Sequence, residues 1–491
     1  NEKFNLHRSY LRSLAQQYSK VITERDSNYV ADLELKANDI EKELTRIIQP
    51  YDKKVQQLTW HEIQNKLNKN EAAIEFIHYK YSIRGLSDSI YYAALIITKD
   101  MTRPYFLPLF EESKLNSLFL FTGEHKSDYV NAIYTMPDRG IVNQEGSKIS
   151  LYDVLWKPIE SQIKGINKIY FSPSGLLHRI NLSAIPVSNE ETLADRYQLI
   201  ELNSTRQLLN DQKFNVKDNI AVLYGGINFE KDTSLLQNEA KSKDFVMASR
   251  SINEISFSSI DTSLRGGSWG YLLGTEKEVN ALDRIIQSVK IPVRLVKGHD
   301  ATEESIKLIG KHKMPSPRIL HIATHGYFFP DPKLNAAGGV NIHQETNVFK
   351  ISDHPMMRSG LIMAGGNAAW KGVSSTYDKE DGIWTAYEIS QMDLTNTELV
   401  VLSACETGLG DIQGNEGVYG LQRAFKIAGA KYLIMSLWQV PDKQTSLLMT
   451  TFYKKWLVDK LSIPQAFQGA QKELRELGFD PYQWAGFILV E

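Results

Sequence analysis

Two segments of this chain end in residues that can do covalent chemistry together: Arg318-Ile-Leu-His-Ile-Ala-Thr-His325-Gly326 and Leu399-Val-Val-Leu-Ser-Ala-Cys405-Glu-Thr-Gly408. A cysteine needs a nearby base or cation to exist as thiolate near neutral pH, and histidine is the side chain whose protonation shifts in that range. Side by side, Cys405 is expected to act as nucleophile and His325 as its proton-transfer partner. Gly326 lets the backbone approach a bound carbonyl closely, so its N–H and that of Cys405 are expected to form an oxyanion hole. By itself Cys405 reads more plainly as a small buried hydrophobe after a buried strand. The glycine after the histidine favours the chemical reading. His321 lies inside its strand and reads as a hydrogen-bonded core residue. Its spacing from His325 matches paired zinc ligands on a helix, but the segment is β-branched and no glutamate follows the first histidine, so no metal site is expected. The glycines at 408, 410, 414 and 417 lack the lysine and hydroxyl of a P-loop, and read as a loop beside the nucleophile.

Sites in open parallel α/β sheets form just beyond the carboxyl ends of strands, so both segments must be strands, and neighbours. The pattern around them agrees. After Asn70 the period becomes extended, with strands expected over 72–79, 91–98 and 105–109, a helix over 152–163, a strand over 168–171 and a turn at Ser172-Pro-Ser-Gly175. A second α/β unit opens with 220–224. Phe229 to Gly270 is serine-rich and reads as a long exposed excursion. Thr275 with Glu278 is expected to cap a helix to about Ser288, followed by a strand over 293–296 and a helix begun at Thr302. Gly326 to about Asp381 reads as one long loop before a helix near Thr385. Strands alternating with helices imply crossovers, hence an α/β fold with a mainly parallel sheet and helices on both faces.

Before these units the period is helical. Leu11, Leu14, Tyr18, Val21 and Ile22 form one stripe, Leu33, Ala37, Ile40, Leu44 and Ile47 another, and Thr59 with Glu62 reads as a capping box. Such hairpins cannot bury both faces alone, which fits the end of a helical repeat array. The expected division is a helical segment over 1–69, a non-catalytic α/β half over 70–215 and a catalytic half over 216–491. The chain starts at Asn1 without an initiator methionine, so upstream sequence is expected.

A length of 491 residues exceeds one core, at roughly 150 residues per domain. Lysine plus arginine (56) nearly balances aspartate plus glutamate (58), leaving no broad field to steer nucleic acid or an anionic membrane. The single cysteine excludes an internal disulfide and fits a reducing cytoplasm. No apolar run is long enough for a membrane span.

Six ordered motifs carry a family resemblance: His321-Ile-Ala-Thr-His-Gly-Tyr327, Ser359-Gly-Leu-Ile-Met-Ala-Gly365, Asp381-Gly-Ile-Trp-Thr-Ala-Tyr-Glu388, Leu402-Ser-Ala-Cys-Glu-Thr-Gly408, Ser436-Leu-Trp-Gln-Val-Pro-Asp442 and Tyr482-Gln-Trp-Ala-Gly-Phe487. Together they resemble a CHAT domain, and Ser172 to Ile185 is similar to that domain's early half. The resemblance implies a caspase-like cysteine endopeptidase related to separase, following tetratricopeptide repeats, with His325 and Cys405 at the catalytic positions and no third member. It further implies that Trp438 and Asp442 shape the pocket for the residue before the scissile bond, an acid there suiting a basic side chain. The plainer reading makes Trp438 core packing and Asp442 a helix cap. Asp411 and Glu416 flank the nucleophile loop and are expected either to meet substrate or simply to be solvated. No cofactor is expected. The implied partners are a protein substrate, such as a gasdermin-like pore former in bacterial defence or programmed death, and a regulatory protein acting through the N-terminal helices. The alternative is a catalytically silent scaffold.

Overall fold

The structure, a computed structural model, describes residues 2–18, 25–48, 59–81, 89–119, 130, 131, 133, 134, 150–210, 217–230, 268–311, 314–329, 354–371, 380–404, 410–412 and 418–491. Helices α1 (Glu2–Tyr18) and α2 (Ser27–Ile48) pair through Leu14, Leu33 and Ala37, members of the two apolar stripes. Thr59 and Glu62 close the expected capping box at the start of α3 (Trp60–Lys66), satisfying backbone donors that a helix start leaves open.

The first α/β unit contributes β1 (Glu71–Tyr81), β2 (Ser89–Thr98), β3 (Tyr105–Glu111), β4 (Lys168–Ser172) and β5 (Gln198–Glu201). The second contributes β6 (Ala221–Ile227), β7 (Val293–Gly298), β8 (Ile319–Ala323), β9 (Gly326–Phe328), β10 (Ser359–Ile362), β11 (Ile383–Thr385), β12 (Leu399–Ser403), β13 (Gly410–Ile412), β14 (Val418–Gly420), β15 (Tyr432–Ser436) and β16 (Phe487–Val490). Both units feed one 11-stranded sheet, in the order β3-β2-β1-β4-β5-β16-β15-β12-β8-β6-β7. Pairing is mainly parallel, as the alternation of elements requires. The antiparallel pairs are β1–β2, β2–β3 and β15–β16. The last of these reverses the strand direction, so β15, β12, β8, β6 and β7 run opposite to β1, β4, β5 and β16. Along β8, Ile319 and Ala323 join one hydrophobic core while Leu320 and Ile322 join the other, the period-two alternation of a strand buried on both faces.

Three expectations are corrected. The segment from Gly326 to Asp381 is not one long loop: it contains β9 and β10, which form a small antiparallel sheet with β11 just beyond it. Phe229 and Trp269, at the ends of the supposed exposed excursion, are buried. Between them, 231–267 lies outside the described residues. The helix expected to be capped by Thr275 starts earlier and spans Leu273–Ser288. Thr275 instead donates from its hydroxyl to the Leu272 carbonyl (2.7 Å) and accepts from the Gly226 N–H (3.0 Å), tying the helix to the end of β6. At the next helix Thr302 caps as expected, accepting from the Ser305 N–H.

Candidate active site

Strands β8 and β12 are parallel neighbours, with Leu399 opposite Ile319 and Ser403 opposite Ala323. Their carboxyl ends therefore emerge side by side. His325 follows two residues after the end of β8, and Ala404 continues one residue past β12. Cys405, joined to Ala404 by one peptide bond, lies outside the described residues, as does Glu416. The backbone that carries His325 is fixed from β10: the Ile362 N–H donates to the His325 carbonyl (2.9 Å) and the Thr324 hydroxyl donates to the Ile362 carbonyl (2.6 Å).

The imidazole is half-buried. Its Nε2 lies 2.8 Å from the Gly270 carbonyl oxygen, and its ring packs 5.0 Å from that of Phe229 and 4.9 Å from that of Trp269. A carbonyl only accepts, so Nε2 carries the hydrogen, and in the neutral ring Nδ1 is the lone-pair nitrogen able to take a proton. Phe229, Trp269 and Gly270 were not singled out by sequence reasoning. The signal was present in large aromatics flanking a polar stretch, but periodicity gives such residues no role. Gly326 is buried and begins β9, paired with Leu361 of β10, so it belongs to a strand rather than to an open turn.

His321 fulfils the bland reading. It is fully buried, with Nε2 2.8 Å from a Glu278 carboxylate oxygen and the Tyr453 hydroxyl 3.4 Å from Nδ1. Trp438 packs: its Nε1–H donates to the Tyr482 carbonyl (2.9 Å) and its ring lies 5.8 Å from that of Tyr134. Asp442 is not the cap of the following helix. Pro441 holds that position, and Asp442 is the exposed first residue of Asp442–Tyr453, favourably placed toward the positive helix end. Its carboxylate abuts Gly274, where any Cβ would collide with it, and Gly274 follows by four residues the Gly270 that engages His325. Although the residue as a whole is exposed, partial desolvation of its carboxyl, and then the negative charge of Glu278, raise the Asp442 pKa. The backbone of Asp411 lies in β13, opposite Tyr419 of β14.

Among the described residues, Glu303, Glu380 and Glu388 form a carboxylate cluster with metal-ligand spacing. The Lys307 ammonium sits among them at 2.6, 2.9 and 2.8 Å, so a cation already fills the centre. In the first α/β unit, His78 Nδ1 lies 2.7 Å from the Ser174 hydroxyl, two residues past the end of β4. Ser174 is only 4% exposed, which suits a tie between adjacent strands rather than an open site.

A strand-end histidine beside a strand that leads to the only cysteine of the sequence, on a mainly parallel sheet, marks the chain as an α/β protein with its candidate site at the strand ends. The family model of the CHAT domain matches residues 148–491, and the chain belongs to that family. Curated relatives include Tetratricopeptide repeat protein 28 of Homo sapiens, 32% identical over 108 residues, a match covering 22% of this chain and 4% of that protein. The Mus musculus protein of the same name is 31% identical over a stretch of the same length. The chain thus spans a small fraction of the curated relatives it matches. Among solved structures, the Saccharomyces cerevisiae separase–securin complex aligns with a TM-score of 0.43 and 12% identity, covering 88% of this chain and 30% of that one. The Arg-specific cysteine proteinase gingipain R aligns with a TM-score of 0.39 and 8% identity, covering 77% and 74%.

Proposed function

We propose that the chain is a cysteine endopeptidase in which Cys405 is the nucleophile and His325 the proton-transfer group. The observation that carries this reading is the register of β8 with β12, which brings the strand end bearing His325 beside the one leading to Cys405. In the proposed reaction the Cys405 thiolate attacks the scissile carbonyl carbon, forming a C–S bond, while the N–H groups of Gly326 and Cys405 hold the oxyanion. The C–N bond breaks as the protonated His325 ring gives its hydrogen to the leaving amine. Water, deprotonated by the same ring, then hydrolyses the thioester. Asp442, packed against Gly274, would receive a basic side chain before the cut; Trp438 would wall that pocket, and Asp411 and Glu416 would border it from the nucleophile loop.

Regulation through the N-terminal helices is part of the proposal. Tyr18 of α1 packs against His354 and Tyr387, each with ring centroids 6.2 Å away. His354 caps the turn leading into β10, and β10 holds the His325 backbone. A partner that grips the helices therefore has a packed route to the site. The proposed setting is a reducing cytoplasm that keeps Cys405 a thiol, in bacterial defence or programmed death, with a gasdermin-like pore former or another dedicated protein as substrate. No helix among the described residues is long and apolar enough to cross a membrane.

One observation favours the silent-scaffold reading: His325 is latched to Gly270 and enclosed by Phe229 and Trp269. Incubating wild type and Cys405→Ala with a proteome and identifying new peptide ends by mass spectrometry separates the two readings. Ends produced by wild type alone support the peptidase. Identical ends from both proteins remove Cys405 from the chemistry, and none from either favours the scaffold.

A further inference from the structure

The ends of β6 and β8 opposite to His325 open onto a groove of about 620 Å³, bordered by Asn219, Arg318 and Trp456. Two of its apolar residues are open to solvent, Val458 at 49% exposed and Leu461 at 39%, beside buried Ile291 and Trp456. Its charges are positive but not equivalent. The Arg318 guanidinium is already engaged, donating from Nε to Glu398 (2.6 Å) and from Nη1 to Asn219 (3.1 Å), and it lies 5.3 Å from the Trp456 ring centroid.

Lys290 and Lys460 differ. Both are exposed, and neither forms an ion pair with a described carboxylate. They are also the only described non-glycine residues with positive φ, at 62° and 59°. Each follows a helical segment, Leu273–Ser288 and Lys454–Val458, at the left-handed position where glycine is the usual residue. A side chain there costs about 1–2 kcal/mol, more than the roughly 0.3–1 kcal/mol that a cation gains near a helix C-terminus. Local folding alone therefore favours glycine at both sites. Both are lysine, and both line the same groove.

We infer that this groove docks an acidic, apolar-anchored peptide segment of a partner protein, its carboxylates meeting Lys290 and Lys460 and its apolar side chain covering Val458 and Leu461. Charge complementarity selects the acidic occupant, and the exposed aliphatic floor excludes a purely electrostatic one. Since the groove and His325 lie at opposite ends of β8, docking leaves the site open. The inference stands independently of the peptidase reading.

The test is fluorescence anisotropy with the full chain and a labelled Glu-Asp-Leu-Trp-Glu-Asp peptide. Wild type is expected to bind with a dissociation constant below about 1 mM. Lys290→Glu/Lys460→Glu and Val458→Asp should each weaken binding at least about tenfold, the scale of a lost charge pair or apolar anchor. Lys290→Gly/Lys460→Gly should also lose binding while its melting temperature stays level or rises, which separates lost charge from lost fold. Absent wild-type binding, unchanged binding by the glutamate variant, equal binding of an all-glutamate peptide, or tighter binding of single-stranded RNA would each overturn the inference.

Discussion

Glu278 faces His321 from the helix Leu273–Ser288, and neither side chain is open to water. A buried polar group that loses its partner bears its full desolvation penalty, about 1–3 kcal/mol. Glu278→Leu should destabilise the protein by that amount in urea titrations, since His321 stays behind, whereas Glu278→Leu with His321→Leu should recover part of the loss. Recovery identifies the pair as a support for β8 rather than a source of protons. His321 and His325 lie four residues apart and take unrelated roles for a reason the chain itself displays: one is inside the strand, the other beyond its end. What could not be read locally is the company His325 keeps. Phe229, Trp269 and Gly270 reach it from well upstream in sequence, and no periodic pattern encodes such a meeting.

At the scale of elements, the helical hairpin α1–α2 rests on the second α/β unit, although the first follows it in sequence. Leu11 and Tyr18 pack against the core that includes Met356, Leu361 and Tyr387. The Tyr18 hydroxyl also donates to Glu34 (2.5 Å), which holds the ring toward its dock. Tyr18→Ala removes that anchor. Amide exchange should then accelerate over 355–362 and 386–389 and stay unchanged in β4 and β5; uniform acceleration would indicate general loosening instead. The stripe containing Leu11, Leu14 and Tyr18 was legible as an apolar face. Its partner was not, because amphipathicity specifies a need for burial and leaves the covering surface open.

For the whole molecule, the seam between the units is where β16 runs parallel to β5, with Val490 opposite Glu201. Glu201 is buried there, and desolvation pushes its pKa up to about 8. The native state thus holds a proton that the unfolded chain releases near the ordinary carboxyl range. Between about pH 4.5 and 8 native protein binds more protons than unfolded, so this group makes stability fall with rising pH, by up to about 1.4 kcal/mol per pH unit. Burial of His178 acts on the acid side: its pKa is lowered to about 3, so its contribution is present above the ordinary histidine range and is lost as pH falls toward 3. Glu201→Gln should therefore gain stability over wild type at pH 9 and match it near pH 4, measured by urea denaturation at both values. Equal curves at both would show that the seam carboxyl does not titrate with folding.

Features that depend on near neighbours could be read along the chain. Strand alternation placed β1, β4, β8 and β12 within a residue or two, and capping patterns placed the starts of α3 and of the helix after Thr302, because side chains three residues apart satisfy the same backbone donors. The strand-end position of His325 follows from the same local rule. Features that depend on distant meetings emerged with the folded chain. Folding put the C-terminal strand β16 between the two units, closed aromatics around His325, seated the hairpin on the far unit and gathered two left-handed lysines at one groove. Each of these joins segments far apart in the chain, where burial and packing rather than local period choose the partner.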